Sequence, residues 1–232
     1  MIDASRSRLI LLDIEGTVAP IAFVKDVLYP YARQHAEAFL RVHWNDAAIA
    51  DARKMLDPTA ADFSEAALIS LLQNIDRLME SDVKSTGLKA IQGQIWDEGY
   101  RRGAFASPVF ADVAPALQRW TKAAKKVAIY SSGSIAAQKV FFRYTTAGDL
   151  TPLLIAYFDT TTGPKRSPES YARIAESLAL QPQEILFISD VVEEVAAART
   201  AGVSGVIAVR PGNAPVTATH VDQIRSFNEL SV

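Results

Sequence analysis

Short runs of uninterrupted apolar residues constrain this chain more than any other feature. Leu9-Ile10-Leu11-Leu12, Val127-Ala128-Ile129-Tyr130 (after Lys125-Lys126), Ile185-Leu186-Phe187-Ile188 and Gly205-Val206-Ile207-Ala208-Val209 show no polar alternation. A strand with one wet face alternates, so an unbroken run suits a central strand covered on both faces, as in a parallel sheet. A weaker run, Leu153 to Phe158, precedes Asp159. Helical patterns over 135–144, 168–178 and 191–201 separate these runs. Strands alternating with helices of this length imply right-handed βαβ units and a parallel sheet.

The stretch from about Phe23 to Arg102 differs. Val24, Val27, Leu28, Tyr31 and Ala38 recur at helical spacing, as do Leu68, Leu71, Leu72, Ile75, Leu78 and Met79, and Leu88, Ile91 and Ile95. Asp62-Phe-Ser-Glu65 has the form of a capping box ahead of the second group. The expected architecture is therefore an α/β core with a Rossmann-like parallel sheet, built from residues 1–17 and 106–232. An all-helical module over 18–105 is inserted into it. Hinge neighbourhoods are expected at Gly16 and at Gly103–Pro108.

Three of the apolar runs end in polar groups suited to catalysis: Asp13 and Glu15, Ser131 and Ser132, and Asp190. Strand C-termini of a parallel sheet share one edge, where ligands bind, so these residues are expected to converge. Two carboxylates spaced as Asp13 and Glu15 can divide labour between nucleophile and proton shuttle; the alternative is a turn cap beside a solvated acid. Asp13 and Asp190 facing one another repel unless a cation lies between them. An oxygen-only donor set with few protein groups suits Mg²⁺. Glu194 either supports that site or complements the dipole of the following helix. Ser131-Ser132-Gly133-Ser134 ahead of a helix offers hydroxyls and N–H groups to a phosphate, with Ser134 as the N-cap. Lys165, in the turn Gly163-Pro164-Lys165, either reaches back to neutralise charge or stands in solvent.

Composition removes competing chemistry. The 232 residues include no cysteine, which excludes disulfides, a thiol nucleophile, thiolate zinc and iron–sulfur sites. A net charge of −2 gives no basic excess for a nucleic-acid surface. No apolar stretch approaches the roughly 20 residues of a membrane helix or the pattern of a signal peptide. A cytoplasmic, monomeric protein without membrane or nucleic-acid partners is the default expectation. Phe23, Tyr31 and Trp96 are either ligand liners or core of the helical module. His35, His43 and His220 fall outside the motifs and receive no role.

With Asp13, Ser131, Lys165 and Asp190 in that order, the chain resembles the haloacid dehalogenase-like phosphohydrolases. Their first motif, Asp-x-Asp-x-Thr, reads here Asp13-Ile-Glu15-Gly16-Thr17, with Glu in place of the second Asp. Together with Ile21–Tyr31, Leu88–Tyr100, Ile129–Ser134, Phe158–Lys165 and Phe187–Asp190, that motif is similar to the enolase-phosphatase family of methionine salvage. Coverage is weakest over Asn45–Asp62 and after Pro211. The resemblance implies a helical cap that closes over the site, with room for a methylthio tail. It implies a small phosphorylated substrate, 2,3-diketo-5-methylthiopentyl 1-phosphate, that is enolised and then dephosphorylated to the acireductone. Asp13 would be the nucleophile, and Glu15 the general acid and base. Ser131 and Ser132 would hold the phosphate. Lys165 would offset its charge. Asp13, Asp190 and the backbone carbonyl of Glu15 would hold Mg²⁺. Glu15 and Lys165 both remain open as the base for enolisation. The competing expectations are a phosphatase of this architecture acting on phosphoglycolate or a sugar phosphate, a metal-free dehalogenase, and a catalytically silent binding protein.

Overall fold

The computed structural model describes residues 1–81, 83, 85–216 and 221–232. The strands are β1 (Ile2–Asp3), β2 (Leu9–Leu12), β3 (Lys126–Tyr130), β4 (Ala156–Phe158), β5 (Ile185–Ser189), β6 (Ser204–Ala208), β7 (Gln223–Ile224) and β8 (Leu230–Ser231). The helices are α1 (Ile21–Phe23), α2 (Tyr29–His43), α3 (Ala47–Leu56), α4 (Glu65–Glu80), α5 (Thr86–Arg101), α6 (Val113–Lys122), α7 (Ile135–Arg143), α8 (Pro168–Ser177) and α9 (Val192–Thr200). A π-helical turn, Val24–Leu28, precedes α2. Among the described residues, no helix is long and apolar enough to cross a membrane.

The chain divides into two compact units, residues 1–23 with 106–232, and residues 24–105. The first holds a six-stranded sheet in the order β4-β3-β2-β5-β6-β7, parallel throughout. β1 and β8 form a separate parallel pair. All four residues of β2 are fully buried, as the unbroken apolar run predicts for a central strand. β2 pairs with β3 on one side and β5 on the other, so Leu12 lies level with both Ile129 and Ile188. The sheet order reverses at β2, and the crevice beyond its C-terminus is where such sheets take their ligands. Leu9, Leu11, Tyr130, Tyr171, Ile174 and Phe187 pack one face of this core.

The second unit is helical. Its core gathers Phe39, Leu40, Trp44, Leu71, Ile75, Ile91 and Ile95. α3 crosses α5 closely at Gly87, where a Cβ would come within 2.6 Å of the Ala52 carbonyl. The Asn45–Asp62 segment becomes α3 and a turn closed by a buried Arg53. The guanidinium lies 4.1 Å above the Trp44 ring and donates to the carbonyls of Trp44, Ala60 and Ala61. The capping box expected at Asp62 moves by two residues. Ser64 is the N-cap of α4, and its hydroxyl accepts from Ala67 N at 3.1 Å. Serine also caps α5 and α7, where the Ser85 and Ser134 hydroxyls accept from Leu88 N and Ala137 N.

Behind the sheet edge of the first unit, Arg210 links three segments. It donates to the Thr17 carbonyl at 3.0 Å, to Asp112 Oδ2 at 2.9 Å and to the Arg225 carbonyl at 2.9 Å, between the rings of Phe110 and Phe227. Burial alone would push the Asp112 carboxyl up. The Phe227 N–H and the Arg210 guanidinium outweigh it and hold it below the ordinary carboxylate range. A depressed carboxyl stabilises the fold above its unfolded pKa, about 4, and that contribution is lost as pH falls through the folded value. Asp112→Ala should cost about 3–5 kcal/mol at neutral pH, read from urea unfolding, because it strands a buried guanidinium. Asp112→Asn should be less acid-sensitive than the parent chain between about pH 5 and pH 3.

Candidate active site

Asp13 is the first residue beyond β2, and its N–H donates to the Ile188 carbonyl at 3.0 Å, continuing the ladder one step past the strand. Its carboxylate is buried, and Lys165 Nζ donates to Oδ1 at 2.6 Å. The same Nζ lies 2.6 Å from Glu194 Oε2, which also accepts from Ser189 Oγ at 2.9 Å. One ammonium thus joins the end of β2 to the first turn of α9, whose N-terminus follows β5. Burial alone would push Lys165 down; Asp13 and Glu194 overcompensate and raise it. Glu194 is itself raised, by burial and by the Asp13 charge, because it shares its cation with a second carboxylate.

The lysine is built into an aromatic shell. Tyr171 donates its hydroxyl to the carbonyl of Lys165 at 2.7 Å, and Tyr130 donates to that of Gly163 at 2.9 Å. The ammonium lies 5.8 and 5.9 Å from the ring centres of Tyr130 and Phe187. Gly163 has φ +144°, and a Cβ there would meet Ser170 Oγ at 2.3 Å. The bend that brings Lys165 back to the sheet therefore requires glycine.

Asp190 directly follows β5 and is half-buried. Its Oδ2 lies 2.2 Å from the point where a Cβ on Gly16 would stand, and Gly16 has φ +71°. Conformation and space both demand glycine between Glu15 and Thr17. Side chains of the loop after β6 hold this turn: Asn213 donates to the Gly16 carbonyl at 2.8 Å and Arg210 to that of Thr17. Burial and the Asp13 charge push Asp190 up to about 7. A second carboxylate held near a buried one suits a hard cation between them. Among the described residues, no three carboxylate or imidazole side chains are clustered to hold a metal ion. Two carboxylates with backbone carbonyls beside them would make an oxygen-only donor set of the kind a hard divalent cation takes while keeping most of its water. Glu15 lies exposed in the same turn.

Ser131 follows β3 at the same edge, one strand over. It is buried, its N–H donates to the Phe158 carbonyl at 3.1 Å, and its Oγ accepts from Gly133 N at 3.3 Å. Ser132 is half-buried beside it.

The comparisons with known proteins bear on this geometry. The model of haloacid dehalogenase-like hydrolases matches residues 8–202. The chain is 44% identical over 223 residues to "Enolase-phosphatase E1" of Drosophila mojavensis, covering 92% of this chain and 90% of that one. It is 45% identical over 229 residues to the protein of that name in Synechococcus elongatus, covering 95% and 96%. The chain belongs to the enolase-phosphatase E1 family of haloacid dehalogenase-like hydrolases. The UTR4 protein of Saccharomyces cerevisiae superposes with a TM-score of 0.79 at 34% identity, over 96% of this chain and 99% of that one. CbbY of Rhodobacter sphaeroides, solved with phosphate, shares the fold at 14% identity and a TM-score of 0.60, over 96% of each chain.

The residues expected from sequence to carry the chemistry lie in the first unit. Asp13 and Lys165 are in direct contact, Asp190 stands over the Gly16 turn, and Ser131 and Ser132 lie at the neighbouring strand end. Sequence reasoning left Glu194 between supporting the site and complementing the helix dipole; it lies in the first turn of α9 with its carboxylate on Lys165. Sequence reasoning gave no role of their own to Tyr130, Tyr171, Ser189, Asn213 and Asp159, whose polar atoms act on backbone or on other side chains. Of the residues considered as liners, Phe23 packs edge-on against Phe141, and Tyr31 stacks on His35 and against Phe105. Trp96 donates its indole N–H to the Leu28 carbonyl at 2.7 Å. His43 lies between Asp46 and Glu98, which raise its pKa; His220 lies outside the described residues.

Gly16→Ala must displace the Asp190 carboxylate or open the turn. The variant should remain folded, lose about 1–2 kcal/mol in urea unfolding, and lose about a hundredfold in hydrolytic turnover of an aryl phosphate. Turnover equal to the parent's would show that the close approach of Asp190 to this turn is immaterial to the chemistry.

Proposed function

We propose that the protein converts 2,3-diketo-5-methylthiopentyl 1-phosphate to the acireductone and phosphate, as an enolase-phosphatase of methionine salvage. The observation that carries the reading is the buried Asp13 carboxylate, fixed by Lys165 at the end of the central strand. A carboxylate oriented in this way is a nucleophile with its entropy of alignment removed before substrate arrives.

An Asp13 oxygen forms a bond to phosphorus as the bond to the leaving oxygen breaks. The leaving oxygen takes the proton of Glu15. The Glu15 carboxylate then removes a proton from the water that attacks the aspartyl-phosphate, regenerating Asp13 and releasing phosphate. Ser131 Oγ–H and the Ser132 N–H hold the phosphoryl oxygens, and Lys165 offsets their charge. Asp13, Asp190 and the Glu15 carbonyl would hold Mg²⁺, which supplies further positive charge beside the phosphoryl group. Lys165 donates to two carboxylates, which supports reading it as a cation and not as a base. Glu15 is therefore the base we assign to the enolisation. The inserted helical module over 18–105, a cytoplasmic setting, a monomeric state and the absence of nucleic-acid or membrane partners belong to the same proposal.

Asp13→Asn should fold normally by circular dichroism and release phosphate from the diketone phosphate at a rate lower by on the order of 10⁴-fold or more. Retained turnover would exclude the covalent route. Glu15→Ala should lose about 10²–10⁴-fold in phosphate release. It should also abolish the transient enol absorbance; if that absorbance persists while phosphate release is lost, Glu15 serves only the second step.

A further inference from the structure

Gln138, on α7, is a buried amide with its two ends in unequal circumstances. The residue is 2% exposed. Its Nε2 donates to the Gly133 carbonyl at 2.7 Å and to the Phe158 carbonyl at 2.9 Å. Its Oε1 is buried and has no hydrogen-bond partner. An unmatched buried acceptor costs on the order of 1–3 kcal/mol, which an apolar side chain of the same volume would avoid. The donor end therefore has to account for the residue.

The two carbonyls it holds belong to different segments. Gly133 lies in the loop 131–134, and Phe158 is the last residue of β4. The Phe158 carbonyl also accepts the N–H of Ser131, so a single oxygen anchors the start of the loop directly and its third residue through Gln138. Asp159, the next residue, accepts the Ile135 N–H at 3.2 Å and so holds the first turn of α7 to the same strand end. Gly133 in turn donates its N–H to Ser131 Oγ. The Gly133 N–H takes one acceptor position of that hydroxyl, which leaves its proton to donate away from Gly133. Detaching Gly133 would release the Ser131 hydroxyl from this orientation.

We propose that Gln138 is a positioning residue for the phosphate cradle, setting the donor direction of Ser131 through Gly133 while tying the loop to the end of β4. This rests on the reading of Ser131 and Ser132 as the cradle. A positioning role in phosphate binding moves affinity for the phosphoryl group, whereas a role in packing moves stability and all kinetic constants together.

The test uses the full chain with Gln138→Met, which keeps the volume and removes both the donor and the orphan acceptor, and Gln138→Glu assayed at a pH low enough to keep the buried carboxyl neutral, where it offers one proton in place of two. Ser131→Ala is the control. The readouts are the inhibition constant of inorganic phosphate, KM and kcat on a phosphomonoester, and Tm. Gln138→Met should keep or raise Tm and weaken both KM and phosphate inhibition by about tenfold, with kcat within about twofold. Gln138→Glu should fall between it and the parent. The proposal is overturned if both Gln138 variants leave phosphate inhibition within about twofold of the parent while Ser131→Ala weakens it tenfold. A loss of Tm accompanied by a proportional loss of kcat in both variants would equally overturn it, in favour of packing. If Ser131→Ala leaves phosphate inhibition unchanged, the cradle reading itself fails and this inference with it.

Discussion

The C-terminal edge of the sheet depends on one ammonium group. Lys165 sits among three acidic residues contributed by two strand ends and a helix, all removed from bulk water to different degrees. Without it, Asp13 and Glu194 would be buried like charges, a configuration that folding free energies of about 5–15 kcal/mol tolerate poorly. The sequence supplies a long flexible side chain for this, and the structure then removes its flexibility. Tyrosine hydroxyls hold the loop carbonyls, ring faces flank the ammonium, and a glycine bend aims the chain. Lys165 is thus the cation that permits a buried carboxylate at the end of β2, and on the proposed function it is also the group that meets a phosphoryl charge.

The same economy recurs at two other loops of this sheet edge. Each is held through its carbonyl oxygens by a side chain from a neighbouring element: Asn213 and Arg210 on the Gly16-Thr17 turn, and Gln138 on the Ser131 loop. Loops cannot take ladder hydrogen bonds, so their backbone groups need side-chain or solvent partners. A buried amide, a half-buried amide and a buried guanidinium serve this purpose here, and they hold the loops to the elements beside them.

Much of this was legible in the sequence, for identifiable reasons. Central parallel strands announce themselves because both faces must be apolar, so Leu9–Leu12 and Ile185–Ile188 could be read without context. Asp13, Ser131 and Asp190 could be read because each interrupts such a run at its end. The Asp62 capping box was misplaced because Ser64 offers the same chemistry two residues on, and only backbone geometry chooses between them. Gln138 and Asn213 were silent because an amide bonded to a carbonyl has no spacing rule. Tyr130 and Tyr171 read as ordinary core, and their hydroxyls acquire meaning only when Gly163 and Lys165 are seen above them. Glu194 was ambiguous because the first turn of a helix rewards an acid whether or not a lysine is near.

The place of β2 in the sheet has a consequence for how the chain acquires its structure. β2 is the earliest strand of the main sheet to be made, yet Leu9 has no partner until Lys126 exists and none on its other side until Ile185 does. The intervening helical unit, residues 24–105, has a core of its own made from nearby segments. Contacts between distant residues form slowly because the loop must close before it is rewarded. During synthesis the helical unit can therefore consolidate while the aliphatic strand that precedes it is still unpaired. A sticky segment held back in this way is exposed to mispairing, and Asp13, arriving directly after it, places a charge where an aggregating strand would otherwise continue.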